Sequence, residues 1–252
     1  MPKQTLLDMT QNILSDMDSD EVNSISDTSE SLQVATIIKT TFYDLYANET
    51  IPEHLELFQF EGLSDVTQPN YLQYPSTMAE VFWFKYDSRS SITDTKINYT
   101  PISYVQPADF ISRTESRDSS ATNTTTITDA SGIKLLIRTD VNPTFWTSFD
   151  DEYLVCDAYD STIDTTLQKS KTQGYGRLEP VFTMSDTFTP DIDINLFPLL
   201  LSTAKAICFS TLKQQQNQAA SAISRSHLVK QQNNRYKLRQ ANNINYPDYG
   251  RK

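Results

Sequence analysis

A group of acidic residues in the middle of the chain has the side chains that acid–base chemistry requires. It consists of Asp150, Asp151, Glu152, Asp157 and Asp160. Two carboxylates on either side of a glycosidic bond can act as general acid and as base or nucleophile. Acidic residues are also common in ordinary solvated turns, and nothing else in the sequence indicates a sugar-binding cleft. A hydrolase that uses these carboxylates is therefore an alternative, and our main expectation is a protein without catalytic residues.

Other kinds of reactive site have little support in the sequence. His54 and His227 are far apart, and the two cysteines, Cys156 and Cys208, lie in apolar stretches, so no zinc-binding cluster is formed. The chain has only five glycines and no phosphate-binding loop. We expect no metal and no cofactor, and we expect both cysteines to be buried thiols rather than a disulfide.

The C-terminal part of the chain has a different character. A helix is predicted from about Ala219 to Gln240, but apart from alanine its apolar side chains are sparse, so it cannot bury itself well on its own domain. We therefore predict that residues 213–252 form a docking arm. The alternative is a frayed, solvated tail. The candidate contact residues of this arm are Arg225, Lys230, Arg235, Lys237, Arg239, Tyr246 and Tyr249.

Charge is unevenly distributed along the chain. The formal net charge is −11. Residues 213–252 contain eight Lys and Arg residues and one acidic residue, a net charge of +7, so the remainder carries −18. An acidic body repels nucleic acid at long range. The basic arm has the charge to contact either phosphates or an acidic protein partner, and the sequence alone does not choose between them.

The elements that would carry these residues form an α+β order: N-terminal helices, a strand-rich middle and a long C-terminal helix with an extended basic arm. The most apolar stretch follows Thr189. Within it one helix face is predicted from Phe197, Leu201, Ala204, Cys208 and Leu212. Asp193 or Asn195 is expected to cap this helix, with Pro198 in its first turn. We divide the chain into a body, residues 1–212, and the docking arm, residues 213–252.

Two helices are predicted at the N-terminus. The first spans Thr5 to Asp16, with Leu6, Met9, Ile13 and Leu14 on one side. The second extends to about Ala47 behind a capping box at Asp27–Glu30. The N-terminus lacks the apolar segment of a signal peptide, and no run is long enough to cross a membrane, so synthesis in a host cytoplasm is expected.

Strands are predicted for most of the central region. The clearest is Met78 to Tyr86, and two weak candidates lie on either side of Gly174 and Gly176, at Thr165–Lys171 and Leu178–Met184. Residues 114–130 are rich in Ser, Thr and Asp and are expected to form an exposed, mobile loop. Further strands are predicted at His54–Phe60, Tyr71–Tyr74, Lys96–Val105, Ile133–Thr139 and Tyr153–Cys156, and a short helix at Pro107–Ile111.

Several segments together resemble a known family. They are the aromatic strand Glu80–Asp87, the stretch Ser131–Arg138, the segment Pro143–Tyr153, and Phe188–Asp193 ahead of the C-terminal helices. With the N-terminal helix pair, this order resembles the head-to-tail adaptor (connector) proteins of short-tailed bacteriophages.

The resemblance implies a virion structural protein at the neck between capsid and tail. Such a protein forms a closed ring, a dodecamer, beneath the portal protein and above a tail or nozzle protein. Genomic DNA passes through the lumen without specific binding. The expected partners are therefore the portal protein, a tail or nozzle protein and further copies of the chain, and the basic arm would grip the portal. The alternative from a different class is a DNA-binding protein that uses the arm.

Overall fold

The computed structural model describes residues 3–48, 51–89, 95–150 and 152–242, with the backbone alone at residue 231 and residues 233–242. This part of the chain is a mixed α+β protein with five helices, as the sequence predicts at the level of fold class. The helices are α1 Leu6–Asp16, α2 Ser29–Asn48, α3 Pro107–Glu115, α4 Phe197–Leu212 and α5 Gln218–Asn242. The strands are β1 Leu55–Phe58, β2 Glu61–Gly62, β3 Tyr71–Gln73, β4 Met78–Asp87, β5 Tyr99–Tyr104, β6 Thr124–Thr128, β7 Lys134–Arg138, β8 Phe145–Thr147, β9 Tyr153–Cys156 and β10 Thr172–Leu178.

The chain divides into two compact units. The first, called the helical unit, combines Met1–Glu53 with Pro180–Lys252 and contains α1, α2, α4 and α5. The second, called the sheet unit, is His54–Glu179 and contains α3 and all ten strands.

Helix α1 is fixed by its cap and its apolar face. The Thr5 hydroxyl accepts a hydrogen bond from the Asp8 backbone N–H, and the Asp8 carboxylate accepts one from the Thr5 N–H, both at 3.1 Å. This reciprocal capping box satisfies two N–H groups that the helix leaves unpaired. The predicted face of Leu6, Met9, Ile13 and Leu14 is buried, so this prediction is confirmed.

The start of α2 differs by one residue from the prediction. The Thr28 hydroxyl accepts from the Ser31 N–H at 3.0 Å, and the Thr28 N–H donates to the Ser31 hydroxyl at 3.1 Å. Asp27 instead accepts from the N–H groups of Asn23 and Ser24. The capping box predicted at Asp27–Glu30 is therefore wrong, because a serine hydroxyl at the third helical position replaces the expected carboxylate.

Helix α4 is the core helix of the helical unit, as predicted. Phe197, Leu201, Ala204 and Cys208 are buried, and Leu212 packs against the same cluster. Pro198 lies in the first turn, where its missing N–H costs no helical hydrogen bond. The predicted side-chain cap is wrong, because Leu196 precedes the helix and no side chain caps it. The Asp193 carboxylate accepts from Asn195 instead.

The sheet unit is built on one eight-stranded sheet in the order β1-β10-β4-β5-β8-β9-β3-β2. Neighbouring strands are antiparallel except for β5 and β8. One cluster of buried side chains includes Phe60, Phe84 and Trp146. A second cluster joins α3 and the hairpin β6–β7 to the sheet through Phe110, Ile137 and other residues. Six further predicted elements are confirmed within a few residues of their expected bounds. They are the strands that begin at Tyr71, Met78, Tyr99, Lys134 and Tyr153 and the helix that begins at Pro107.

The segment 114–130 is only partly a loop. Its second half contains β6, which pairs with β7 from Thr124 opposite Arg138 to Thr128 opposite Lys134. Ile127 is buried in the cluster that joins this hairpin to the sheet. The loop prediction is wrong here because threonine favours strands and because Ile127 packs with the buried Leu135 and Ile137 of β7 in the same cluster.

Strand β10 occupies the interval between the two weak strand candidates. Thr172–Leu178 pairs with β1 on one side and β4 on the other, whereas Thr165–Lys171 and most of Leu178–Met184 lie outside strands. A Cβ at Gly174 would lie 2.6 Å from the Phe58 ring, so only glycine admits that aromatic side chain over the strand. The glycines therefore belong to a strand with a close neighbour and do not interrupt one.

Candidate docking surface on helix α5

Helix α5 begins at a capping residue and packs on α4. The Asn217 side-chain oxygen accepts a hydrogen bond from the Ala220 N–H at 2.9 Å. Ala220 is buried, and the hydroxyls of Ser224 and Thr203 on α4 are 2.8 Å apart. Ala220, Ser224 and His227 follow the helical repeat and share one side of α5, the side that faces α4. The remaining sides of the helix are consequently open to solvent.

The open sides of α5 carry apolar and cationic side chains together. Ile223, Leu228 and Val229 are 50%, 41% and 53% exposed. Arg225 and Lys230 are exposed as well. We call Ile223, Arg225, Leu228, Val229 and Lys230 the α5 surface. Exposed aliphatic side chains beside Arg and Lys are suited to a protein partner, since such a patch offers both burial and charge.

The two cations of the α5 surface differ from other cations of the helical unit. Lys3 pairs with Asp191, Lys205 with Asp16, and Lys213 with Glu30. Within the described part of the chain, Arg225 and Lys230, like Lys39 on α2, form no such ion pair, so their charge is available to a partner.

The structure describes only part of the predicted contact set. Arg235, Lys237 and Arg239 lie within the backbone of α5, but their side chains are outside the described residues. Tyr246 and Tyr249 also lie outside the described residues. For these five residues, a role in docking stays a prediction.

Asp157, one of the predicted carboxylates, forms structural hydrogen bonds within the sheet unit. Its oxygens accept hydrogen bonds from the backbone N–H groups of Thr144 and Phe145 at 2.8 and 3.0 Å. Arg117 donates to the Asp157 carboxylate at 3.0 Å and to the backbone oxygens of Asp157 and Leu136. The ion pair and hydrogen bonds of Arg117 and Asp157 connect the segment after α3 to β7 and to the end of β9. Sequence reasoning missed Arg117, because it lies in a polar stretch that has no periodic pattern.

The other carboxylates of that group support local turns. Asp150 accepts from the N–H groups of Glu152 and Tyr153, and Asp160 accepts from the N–H and hydroxyl of Thr162. These are the hydrogen bonds of Asx turns. Asp151 lies outside the described residues.

Each unit contains one histidine and one cysteine. His54 is buried in the sheet unit, and His227 is half-buried on α5 of the helical unit. Cys156 and Cys208 are both free and buried, as predicted. Among the residues that the structure describes, no group of three or more His, Cys, Asp or Glu side chains is arranged to hold a metal ion.

No protein-family model matches the chain, and a search of curated proteins finds no significant sequence similarity. Within the described residues, none of the helices combines the length and the apolar composition needed to cross a bilayer.

Proposed function

We propose that this chain is a virion structural protein, a head-to-tail adaptor of short-tailed bacteriophages. It forms a ring at the neck, between the portal protein and a tail or nozzle protein, and DNA passes through the ring. The observation that carries the proposal is the α5 surface: exposed aliphatic side chains lie beside cations, on a chain whose residues before position 213 carry a net charge of −18.

In this proposal the α5 surface, which is spread over the open sides of the helix, docks in a groove of the portal protein. Ile223, Leu228 and Val229 lose solvent contact in the interface, which favours association by roughly 25 cal/mol for each Å² of apolar area buried. Arg225 and Lys230 face acidic groups of the portal and select the orientation of the subunit. Helix α5 itself keeps its contact with α4 through Ala220 and Ser224.

The acidic remainder of the chain has a separate role in the proposal. Like charge disfavours contact with phosphates, so a ring lined by acidic subunits lets DNA move through it without specific binding. A closed ring, with twelve subunits as in the family that the sequence resembles, uses the same lateral contact at every position.

A charge-reversal variant tests the docking role of α5. Arg225→Glu combined with Lys230→Glu replaces two exposed cations, and we expect its affinity for the cognate portal to fall at least about tenfold. The control, Lys96→Glu combined with Lys134→Glu, makes the same charge change at two exposed lysines of the sheet unit. Binding is measured by interferometry at ~150 mM salt. Equal affinities of the two variants would show that the α5 surface is not the docking surface.

A DNA-binding experiment separates the proposal from its main alternative. If the arm were a DNA-binding element, the isolated protein would bind duplex DNA tightly at ~150 mM salt, with a steep dependence of affinity on salt. We expect weak binding under these conditions, and we expect the charge reversal to affect portal affinity much more than DNA affinity.

A further inference from the structure

A cavity of about 300 Å³ lies in the sheet unit, beside the cluster that joins α3 and the β6–β7 hairpin to the sheet. One wall is the turn between β6 and β7, and another is formed by Phe149, Asp150 and Tyr153. A cavity of this volume is at the lower end of the range for small-molecule sites. Its apolar lining consists of Ile111, Ala130, Ile133, Leu135, Phe149 and Val155.

The polar lining of the cavity consists of the Asp129 and Asp150 carboxylates and of the hydroxyl-bearing residues Tyr71, Ser131 and Tyr153. The buried Tyr71 hydroxyl donates to Asp129 Oδ1 at 2.8 Å. Asp129 Oδ2 accepts from the Ser131 N–H at 3.0 Å and from the Ser131 hydroxyl at 2.7 Å. Asp150 Oδ1 accepts hydrogen bonds from the backbone N–H groups of Glu152 and Tyr153, and these two bonds do not involve Asp150 Oδ2. Both carboxylates are therefore held in place by the fold.

The surroundings of Asp129 and Tyr71 set the charge state of both side chains. Burial alone would raise the pKa of Asp129, but the hydrogen bonds from Ser131 and Tyr71 outweigh it and lower that pKa. Burial, the hydrogen bond to Asp129 and the negative charges of Asp129 and Asp150 all raise the pKa of Tyr71. The Tyr71 hydroxyl therefore remains neutral. No Lys, Arg or His is among the described residues that line the cavity.

We propose that this cavity binds a small organic cation: a primary amine or guanidine carried on an aromatic or branched aliphatic body. The apolar body lies against Ile133, Leu135 and Phe149. The cationic group lies at Asp129, which is half-buried, and Asp150, which is exposed, and it forms charge-assisted hydrogen bonds with the two carboxylates.

A metal ion fits this site less well than an organic cation. Two carboxylates supply too few oxygens for calcium, which takes six to eight oxygen ligands. In the described part of the chain the site does not form a group of three or more His, Cys, Asp or Glu side chains suited to a metal ion. The apolar walls contribute no ligand, whereas they match the body of an amine.

A titration of the full-length protein tests the proposal. Phenethylammonium chloride is added while backbone amide NMR signals are followed. We expect saturable shifts at Ser131, Ile133 and Tyr153, and we expect neutral 2-phenylethanol to bind at least about tenfold more weakly because it lacks the charge. Asp150→Asn should weaken this preference, because one of the two negative charges is removed. Asp118→Asn is the matched control: Asp118 is likewise exposed and accepts two hydrogen bonds through Oδ1, here from the N–H and the hydroxyl of Ser120, but it does not line the cavity.

A second variant keeps the test decisive if Asp150→Asn does not fold. Ile133 is half exposed at the cavity, so Ile133→Asn removes apolar wall with little expected loss of stability. It should weaken binding of the amine and of the alcohol by similar factors. The proposal is overturned if phenethylammonium causes no saturable shift, if the alcohol binds equally well, or if calcium chloride shifts the same amides at lower concentration.

Discussion

Helices α4 and α5 follow one another in the chain and pack together, yet their side chains differ in exposure. Helix α4 buries Phe197, Leu199, Leu200, Leu201, Ala204 and Cys208. Over the part of α5 whose side chains are described, Ala220 is buried while Ile223, Leu228 and Val229 are exposed. One helix therefore uses its apolar residues for the core of its own unit, and the other presents them to solvent.

The difference separates the residues that fold the protein from those that are free to contact a partner. Helix α5 has few apolar side chains, so burial within its own unit stabilises it little beyond the contact with α4. Its exposed aliphatic and cationic residues contribute little to stability, so a change there should affect association and leave folding intact. Four comparisons test this separation.

The largest expected effect is on the free energy of unfolding. Leu200 is fully buried in α4 and Leu228 is exposed on α5, so the same substitution probes both helices. We expect Leu200→Ala to lower the free energy of unfolding by about 2–5 kcal/mol because it leaves a cavity. Leu228→Ala should change it by less than about 0.5 kcal/mol. Urea unfolding followed by circular dichroism measures both; similar losses would remove the distinction between the helices.

Thiol reactivity gives the second test. Burial raises the pKa of Cys208 on α4 to about 12, so very little thiolate is present at pH 8. Burial also raises the pKa of Cys156 well above its usual value. A cysteine introduced at the exposed position of α5, Ser226→Cys, should react with a disulfide reagent at least about 100-fold faster than the native thiols. Fast reaction of the unmodified protein would contradict the buried state of α4.

The apolar part of the α5 surface should matter for docking and not for folding. Ile223→Ala with Val229→Ala removes exposed aliphatic groups, and we expect portal affinity to fall about tenfold while the unfolding curve is unchanged. The control, Ile97→Ala with Val66→Ala, makes the same two changes at exposed positions of the sheet unit. If the control weakens portal binding as much as the α5 variant, the contact is not specific to α5.

The smallest effect concerns the contact between the two helices. Ser224→Ala removes the hydrogen bond with Thr203 and should lower the protection of α5 amides against hydrogen exchange by about 0.5–1.5 kcal/mol. Ser226→Ala on the exposed side of the same helix should have no measurable effect. Equal protection in both variants would mean that the Ser224 hydroxyl does not hold α5 on α4.

The sequence predicts well those elements whose apolar residues repeat regularly. The face of α4 from Phe197 to Cys208 and the α1 face from Leu6 to Leu14 are both confirmed. Strand β4 was predicted from its aromatic run, and the two thiols were correctly expected to be buried and free. In each case a long or strongly apolar segment has few alternative arrangements.

The sequence predicts poorly what depends on a neighbour distant in the chain. Gly174 marks a strand because Phe58 lies over it, and that contact cannot be read from the glycine itself. Ile127 is buried by a hairpin within a polar stretch, and Arg117 has its role through Asp157. The cavity with Asp129 and Asp150 was missed for the same reason, since α3, three strands and two connecting segments supply its lining.

The proposed docking of α5 is tested most directly by electron cryomicroscopy of the full-length protein mixed with its portal. We predict a ring beneath the portal, with Ile223, Arg225 and Val229 against portal density and the central channel left open. A map in which α5 faces solvent, or lies along DNA, would contradict the proposal.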